Sequence, residues 1–171
     1  MSLIQNHLYS QIVSYGIDKS TAAFAYMTFG IGTMLGALAC GFICLKIPIK
    51  NVLGSIYGLR VLLIAVFLFL LPKNVVTVVF FAVAMGLTGD ATVTPTSEII
   101  SRKFGAESMG LLFGFTFICH QTGSFISTWL AGYLYQITGR YEMIWMMNLG
   151  LCALASVASY RIRIVDYELE A

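Results

Sequence analysis

The sequence predicts an all-α fold, a polytopic transmembrane bundle of about five spanning helices. Hydrophobic residues make up 58% of its 171 residues and charged residues only 11%, whereas soluble domains are roughly 25% charged. Long apolar stretches alternate with short polar segments along the whole chain. Because a soluble fold of this length would expose much of its surface to water, the composition predicts that lipid is the solvent.

Five stretches are long enough to cross a bilayer, since a spanning helix needs about 20 mostly apolar residues. They run from about Ser20 to Leu45, Asn51 to Leu71, Asn74 to Ile100, Ser108 to Gln136 and Tyr141 to Tyr160. Asp18 or Ser20 can cap the first helix, and Pro72 ends the second because proline removes a backbone donor. The short connections predict antiparallel neighbours and leave no room for a soluble domain.

The spans divide the chain into three predicted parts. Residues 1–15 look like the end of a preceding transmembrane helix that is too short to span alone, and they lack the basic start and cleavage site of a signal peptide. Residues 16–162 are predicted to form the five-helix bundle. Residues 163–171 are predicted to be a cytoplasmic tail.

The distribution of Lys and Arg predicts the orientation, because cytoplasmic loops carry an excess of them. One side of the bundle holds six such residues and the other side holds three. The six are Lys46, Lys50, Arg102, Lys103, Arg161 and Arg163, and the three are Lys19, Lys73 and Arg140. This bias predicts a cytoplasmic C-terminus and an extracytoplasmic start of the first span.

Charge and cysteine content argue against several classes of protein. The net charge of +2 is too small to suggest a nucleic-acid partner. The 4 Cys lie in apolar stretches without a CxxC pair, and His120 has no second ligand at metal-site spacing. We therefore predict no metal and no cofactor. An intramembrane enzyme is disfavoured, because Asp90 and His120 are the only candidate catalytic groups.

Ionisable residues near the bilayer centre are candidates for function, because each costs roughly 2.5–3.5 kcal/mol to insert. Arg60 lies roughly 14 Å from the nearer end of the second span at the helical rise. It is either a fixed positive charge for an anionic substrate or a carboxylate partner, or a long side chain that reaches the interface. The sequence leaves both interpretations open.

The third span carries a second candidate site. Asp90, Thr94 and Glu98 recur at every fourth residue, which places them on one helical face. Pro95 breaks the hydrogen-bond ladder and predicts a kink one turn from Asp90. A carboxylate beside a broken helical turn is typical of ion and proton sites in transporters. The alternatives are that Asp90 only neutralises Arg60 and that Glu98 is interfacial.

The fourth span carries the third candidate site, around His120. Thr116, Gly123, Ser124 and Ser127 share the face of His120, and Gln121 lies beside it. This face fits a water-filled cavity better than lipid, and histidine exchanges protons near neutral pH. A histidine in an apolar helix can instead simply hydrogen-bond a neighbouring helix. The predicted substrate or proton pathway consists of Arg60, Asp90, Thr94, His120 and Gln121.

Glycines predict close helix packing. Gly32 and Gly36 in the first span, and Gly110 and Gly114 in the fourth, have the small-xxx-small spacing that lets backbones approach each other.

Two longer motifs resemble the C-terminal half of the major facilitator superfamily. GALACGFICLKIPIKNVLGSIYGLRVLLI, residues 36–64, is similar to the eighth helix, the following loop and the ninth helix. Residues 86–145 resemble the tenth helix through the start of the twelfth, and LFGFTFICHQTGSFISTWLAGYLYQITG, residues 112–139, is the most specific part. This run is similar to bacterial members related to oxalate/formate exchangers and monocarboxylate transporters.

The resemblance implies half of a transporter that works by alternating access around a central cavity. In that arrangement the eighth, tenth and eleventh helices line the cavity, and the ninth and twelfth are peripheral. Asp90 and His120 would then face the cavity, and Arg60 would act on structure or coupling more than on substrate. The implied partners are lipid, a small-molecule substrate, and a missing N-terminal half or a second copy of the chain. The implied location is the bacterial inner membrane.

The expected function is therefore transmembrane transport of a small organic anion, such as a monocarboxylate, by a chain that is incomplete alone. A proton is the candidate coupling ion, carried by Asp90 or His120. The alternative is a non-transporting membrane protein, either a degenerate or split-gene remnant or a partner subunit of another helical bundle.

Overall fold

The chain forms an all-α bundle, as the composition predicts. The computed structural model describes residues 2–162, and the predicted tail 163–171 lies outside them. The helices are α1 (Ser2–Ser14), α2 (Lys19–Cys44), α3 (Ile49–Phe69), α4 (Val75–Leu87), α5 (Val93–Phe104), α6 (Met109–Thr138) and α7 (Glu142–Tyr160). A short 3₁₀ turn, Asp90–Thr92, joins α4 to α5.

Five helical segments of the described chain are long and apolar enough to cross a membrane. They are Lys19–Cys44, Ile49–Phe69, Val75–Phe104, Met109–Thr138 and Glu142–Tyr160. The five predicted spans are thereby confirmed, with ends that differ by a few residues. The third span combines α4, the 3₁₀ turn and α5.

The start of α2 is fixed by a side-chain cap. Asp18 is the N-cap residue, and its carboxylate accepts hydrogen bonds from the backbone N–H of Thr21 at 2.9 Å and from the Thr21 hydroxyl at 2.6 Å. These bonds, the hydroxyl first, hold the pKa of Asp18 below its ordinary value because they favour the charged form. Of the two capping residues expected from the sequence, Asp18 is the one used.

The first helix is short and packs onto the bundle. At about 1.5 Å per residue, the 13 residues of α1 are too short for a hydrocarbon core of about 30 Å. Leu8, Gln11 and Ile12 are buried, and α1 contacts α2 and α6. Gly16 then turns the chain into α2 with φ of +81°, a conformation that favours glycine.

Glycines bring α2 and α4 into backbone contact. A Cβ atom on Gly36 would lie 2.0 Å from the carbonyl oxygen of Leu87, and one on Gly86 would lie 2.4 Å from that of Phe29. Gly32 also lies against α4, so the close packing predicted for the first span is confirmed. The close packing expected at Gly110 and Gly114 is absent within the described chain, because a Cβ atom on either glycine would meet nothing within 4 Å outside its own helix.

A second helix pair forms between α3 and α7. The ring of Tyr160 lies over Gly54, and its hydroxyl is 2.9 Å from the Ser55 hydroxyl. The hydroxyl of Ser156 donates to the carbonyl oxygen of Gly54 at 2.9 Å. Between the two helix pairs, the rings of Phe67 and Phe81 stack with centroids 4.0 Å apart, and the ring of Trp145 packs edge-on against both.

The third span is interrupted within one to two turns before its proline, in the region where the sequence predicts a kink. α4 ends at Leu87 and α5 begins at Val93, so the break lies N-terminal to Pro95. Pro95 is the third residue of α5, where a helix does not need its N–H. The α-helical spacing that would align Asp90 with Thr94 and Glu98 therefore does not hold across the 3₁₀ turn.

The glycine contact gives a first testable prediction. Gly36→Ala should lower the free energy of unfolding by about 1–3 kcal/mol, because the new methyl group meets backbone that cannot rotate away. Gly30→Ala, on the same helix with nothing within 4 Å, should leave stability unchanged or raise it by up to about 1 kcal/mol. Thermal unfolding of the purified chain in detergent, followed by tryptophan fluorescence, measures both. Equal midpoints for the two variants would contradict the contact.

Candidate functional site

A cavity of about 540 Å³ lies between the break in the third span and helices α3, α6 and α7. We call it the central cavity. Its polar wall includes side chains from several elements. These are Tyr57, Arg60, Asp90, Thr92, Thr96, Thr116, His120, Ser124, Ser127 and Asn148. Three of the five residues of the predicted pathway, Arg60, Asp90 and His120, therefore line one space.

Asp90 presents an unpaired carboxylate to the central cavity. It is the first residue of the 3₁₀ turn and its side chain is exposed. Within residues 2–162, the one ion pair is Arg102 with Glu98, so Asp90 does not form a salt bridge with Arg60. The alternative that Asp90 merely neutralises Arg60 by direct pairing does not match this geometry.

Arg60 is buried and donates hydrogen bonds to the backbone at the break in the third span. Only 4% of its surface is exposed. Its Nη2 donates to the backbone carbonyl oxygens of Thr88 and Gly89, the latter at 2.6 Å, and its Nε donates to the Thr88 hydroxyl at 3.3 Å. The guanidinium also lies over the Tyr57 ring, 5.2 Å from its centroid. Arg60 therefore does not reach the membrane interface.

The contacts of Arg60 suit the end of a helix inside a membrane. The last carbonyls of α4 have no intrahelical donors, and the C-terminal end of a helix carries partial negative charge. In hydrocarbon each unsatisfied carbonyl costs several kcal/mol. Arg60 supplies both hydrogen bonds and positive charge at this point, and no acceptor within the described chain meets its Nη1.

His120 lies on the opposite wall of the central cavity, on α6. Its ring is exposed and stacks on Phe117, with centroids 6.3 Å apart. Thr116, Ser124 and Ser127 line the same wall. The polar face that the sequence indicates along the fourth span therefore turns towards the break in the third span.

Two residues of the predicted pathway lie away from the central cavity. Gln121 is exposed on a neighbouring face of α6, and Thr94 is half-buried on α5. Neither belongs to the cavity wall. One residue along a helix rotates a side chain by about 100°, which is why the neighbour of His120 points elsewhere.

Asn148 on α7 is a cavity residue that the sequence analysis missed. It is 8% exposed, and its side-chain nitrogen Nδ2 is buried without a hydrogen-bond partner in the described part of the chain. Its Oδ1 accepts a weak bond from the Cys152 thiol at 3.7 Å. An amide inside an apolar span was the available signal, since such groups are rarely buried without a role.

The cavity does not resemble a metal centre. No group of three or more His, Cys, Asp or Glu side chains comes together within residues 2–162. A carboxylate, an imidazole, a guanidinium and several hydroxyls can instead bind a polar solute and exchange protons with it.

Comparison with known proteins confirms the predicted superfamily and does not test the finer resemblance. The family model described as Major Facilitator Superfamily matches residues 3–169, nearly the whole chain. No curated protein and no solved structure matches the chain.

The role of Arg60 gives a second prediction. Arg60→Met should lower the free energy of unfolding by about 3 kcal/mol, because it leaves the carbonyls of Thr88 and Gly89 without donors. Arg60→Lys keeps the charge but has a single donor nitrogen, so an intermediate loss is expected. Arg140→Met, in an exposed loop, is the matched control and should change little. Chemical unfolding in detergent provides the measurement. If Arg60→Met were as stable as the wild type, the hydrogen bonds from Arg60 to the end of α4 would not stabilise the fold.

Proposed function

The chain belongs to the major facilitator superfamily, and we propose that it carries a small organic anion, such as a monocarboxylate, together with a proton. Members of this family transport solutes across membranes. The chain is accordingly an integral, multi-pass membrane protein whose function is transmembrane transport. The nature of the solute and the coupling to a proton are the proposal.

The observation that supports this proposal is the set of charges in the central cavity. Arg60 contributes a buried positive charge and a donor, Nη1, that meets no acceptor within residues 2–162, while the carboxylate of Asp90 has no ion-pair partner in the same range. His120 faces them from α6. A space that holds a guanidinium, an imidazole and hydroxyl donors can bind a carboxylate oxygen through charge-assisted hydrogen bonds.

The same charges link anion binding to proton binding. While Asp90 is ionised, its negative charge repels an approaching anion. Once Asp90 is protonated, the positive charge of Arg60 is no longer offset and the cavity attracts the anion. Anion binding and proton binding thereby favour each other, since the coupling between two sites is reciprocal.

The proposal treats the chain as the C-terminal half of a transporter, helices eight to twelve with the end of the seventh. Its support is α6, whose most hydrophobic stretch has none of its residues buried within the bundle. Large side chains such as Leu111, Phe125 and Trp129 are exposed along it. An N-terminal half, or a second copy, would cover this helix, close the central cavity and permit alternating access.

Several finer features belong to the same proposal. They are the relation to oxalate/formate exchangers and monocarboxylate transporters, the bacterial inner membrane as location, and the cytoplasmic C-terminus. The division into a helix remnant (1–15), a bundle (16–162) and a tail (163–171) also remains a proposal. The exposed face of α6 equally fits a second candidate function, a non-transporting chain that serves as a partner subunit of another helical bundle.

Transport assays in proteoliposomes test the proposal. The chain is co-expressed with the N-terminal half of a related transporter, and uptake of a labelled monocarboxylate is driven by an inward proton gradient. Asp90→Asn should abolish gradient-driven uptake while exchange of the anion across the membrane continues, because the variant binds anions but carries no proton. His120→Ala should reduce uptake at neutral pH.

Glu107→Gln is the matched control, since Glu107 is an exposed carboxylate in the loop before α6 and should leave uptake unchanged. If the wild-type chain, co-expressed with the N-terminal half, took up no labelled monocarboxylate, the proposal that it transports this class of solute would be overturned. Variants of Asp90 and His120 that alter stability but not uptake would favour the non-transporting alternative.

A further inference from the structure

A second cavity, of about 310 Å³, lies at one end of the bundle and shares no residue with the central cavity. We call it the basic pocket. It forms where α2 ends, α3 begins and α5 ends, and residues 44–50 and Arg102 line it. Three of the 10 Lys and Arg residues of the chain, Lys46, Lys50 and Arg102, converge there without an acidic lining residue.

The pocket offers donors to an anion from several directions. Lys46 and Arg102 are exposed and Lys50 is half-buried, so all three can reach a ligand. The N-terminus of α3 adds to this charge, because its N-cap residue Pro48 makes no side-chain cap and the first N–H groups of a helix carry partial positive charge. Together these groups match the oxygen atoms of a phosphate group.

One anion already competes for the pocket. The carboxylate of Glu98 lies 2.9 Å from Nε of Arg102, one turn away on α5. Both side chains are about half exposed, and exposed pairs of this kind contribute little stability. Arg102 can therefore exchange Glu98 for a stronger anionic ligand at small cost.

The position of the pocket indicates where that ligand comes from. The ends of three spanning helices define the boundary of the membrane, where lipid headgroups lie. The lining residues Leu45 and Ile47 are 81% and 48% exposed, so apolar side chains flank the cations at the rim. Cations beside exposed apolar side chains suit a headgroup with acyl chains attached, and less well a free ion.

We propose that the basic pocket binds the phosphate group of an anionic phospholipid. Lys46, Lys50 and Arg102 contact the phosphate, and the acyl chains lie along the apolar rim beside Leu45. The site is independent of the solute carried in the central cavity, so its test does not depend on transport.

Titration of the full chain with phosphatidylglycerol in a neutral detergent, read out by native mass spectrometry, tests the proposal. Each neutralised cation should weaken binding about fivefold, so the double variant Lys46→Gln/Lys50→Gln should bind about 30-fold more weakly. The double variant Lys19→Gln/Arg140→Gln removes the same charge from the opposite end of the bundle and should bind like the wild type. Equal weakening by both pairs would overturn the site, since it would indicate attraction to net charge alone.

Glu98→Gln gives a second and opposite readout. Loss of the competing carboxylate should tighten phosphatidylglycerol binding several-fold, whereas a purely structural ion pair would give unchanged or weaker binding and overturn the proposal. This variant decides the question even where the lysine variants do not fold. Phosphatidylcholine and inorganic phosphate complete the test. Inorganic phosphate that binds as tightly as phosphatidylglycerol would identify a free-anion site and overturn the assignment to lipid, and phosphatidylcholine that binds as tightly would overturn the preference for an anionic phospholipid.

Discussion

The hydrogen bonds from Arg60 to the end of α4 are the interaction on which the rest of this structure depends. A helix that stops within hydrocarbon exposes carbonyl groups that water cannot reach, and such a break survives only where the protein supplies donors. Arg60 supplies them to Thr88 and Gly89 from the neighbouring span. The short 3₁₀ turn that follows can then leave the helical path and expose Asp90 to the central cavity. The two charged groups therefore lie in one cavity for different reasons: Arg60 donates hydrogen bonds to the backbone, and Asp90 is exposed to the cavity.

The spans and their caps could be predicted from the sequence, because each depends on local composition. Hydrophobicity over about 20 residues decides whether a segment crosses lipid, and Asp18 caps α2 through a residue three positions away. The break in the third span lies in the region that Pro95 predicts, because a proline leaves the carbonyl group four residues before it without a donor. The donors that satisfy the end of α4 belong to Arg60, which lies 28 residues before Thr88. A local sequence pattern does not indicate a contact between residues so far apart.

The candidate site shows the same limit at the level of single side chains. Asp90 and His120, which residue type singles out because polar groups within apolar spans need a wet or polar environment, both line the central cavity. Spacing could not decide whether Thr94 and Gln121 line the cavity. A 3₁₀ turn separates Thr94 from the helical register of Asp90, and the direction of Gln121 depends on the rotation of α6. Asn148 was missed because the family resemblance made the last helix peripheral, whereas α7 in fact forms the back of the central cavity.

The glycine contacts between α2 and α4 also affect which parts of the bundle can rearrange. Main chain that touches main chain leaves no layer of side chains that could repack, so we expect these two helices to move together, and α3 with α7 forms a second closely packed pair. α6 touches its neighbours far less extensively. Asp90 thus belongs to the rigid part and His120 to the helix that shifts with the smallest loss of contacts. The distance between Asp90 and His120 therefore changes with the width of the central cavity.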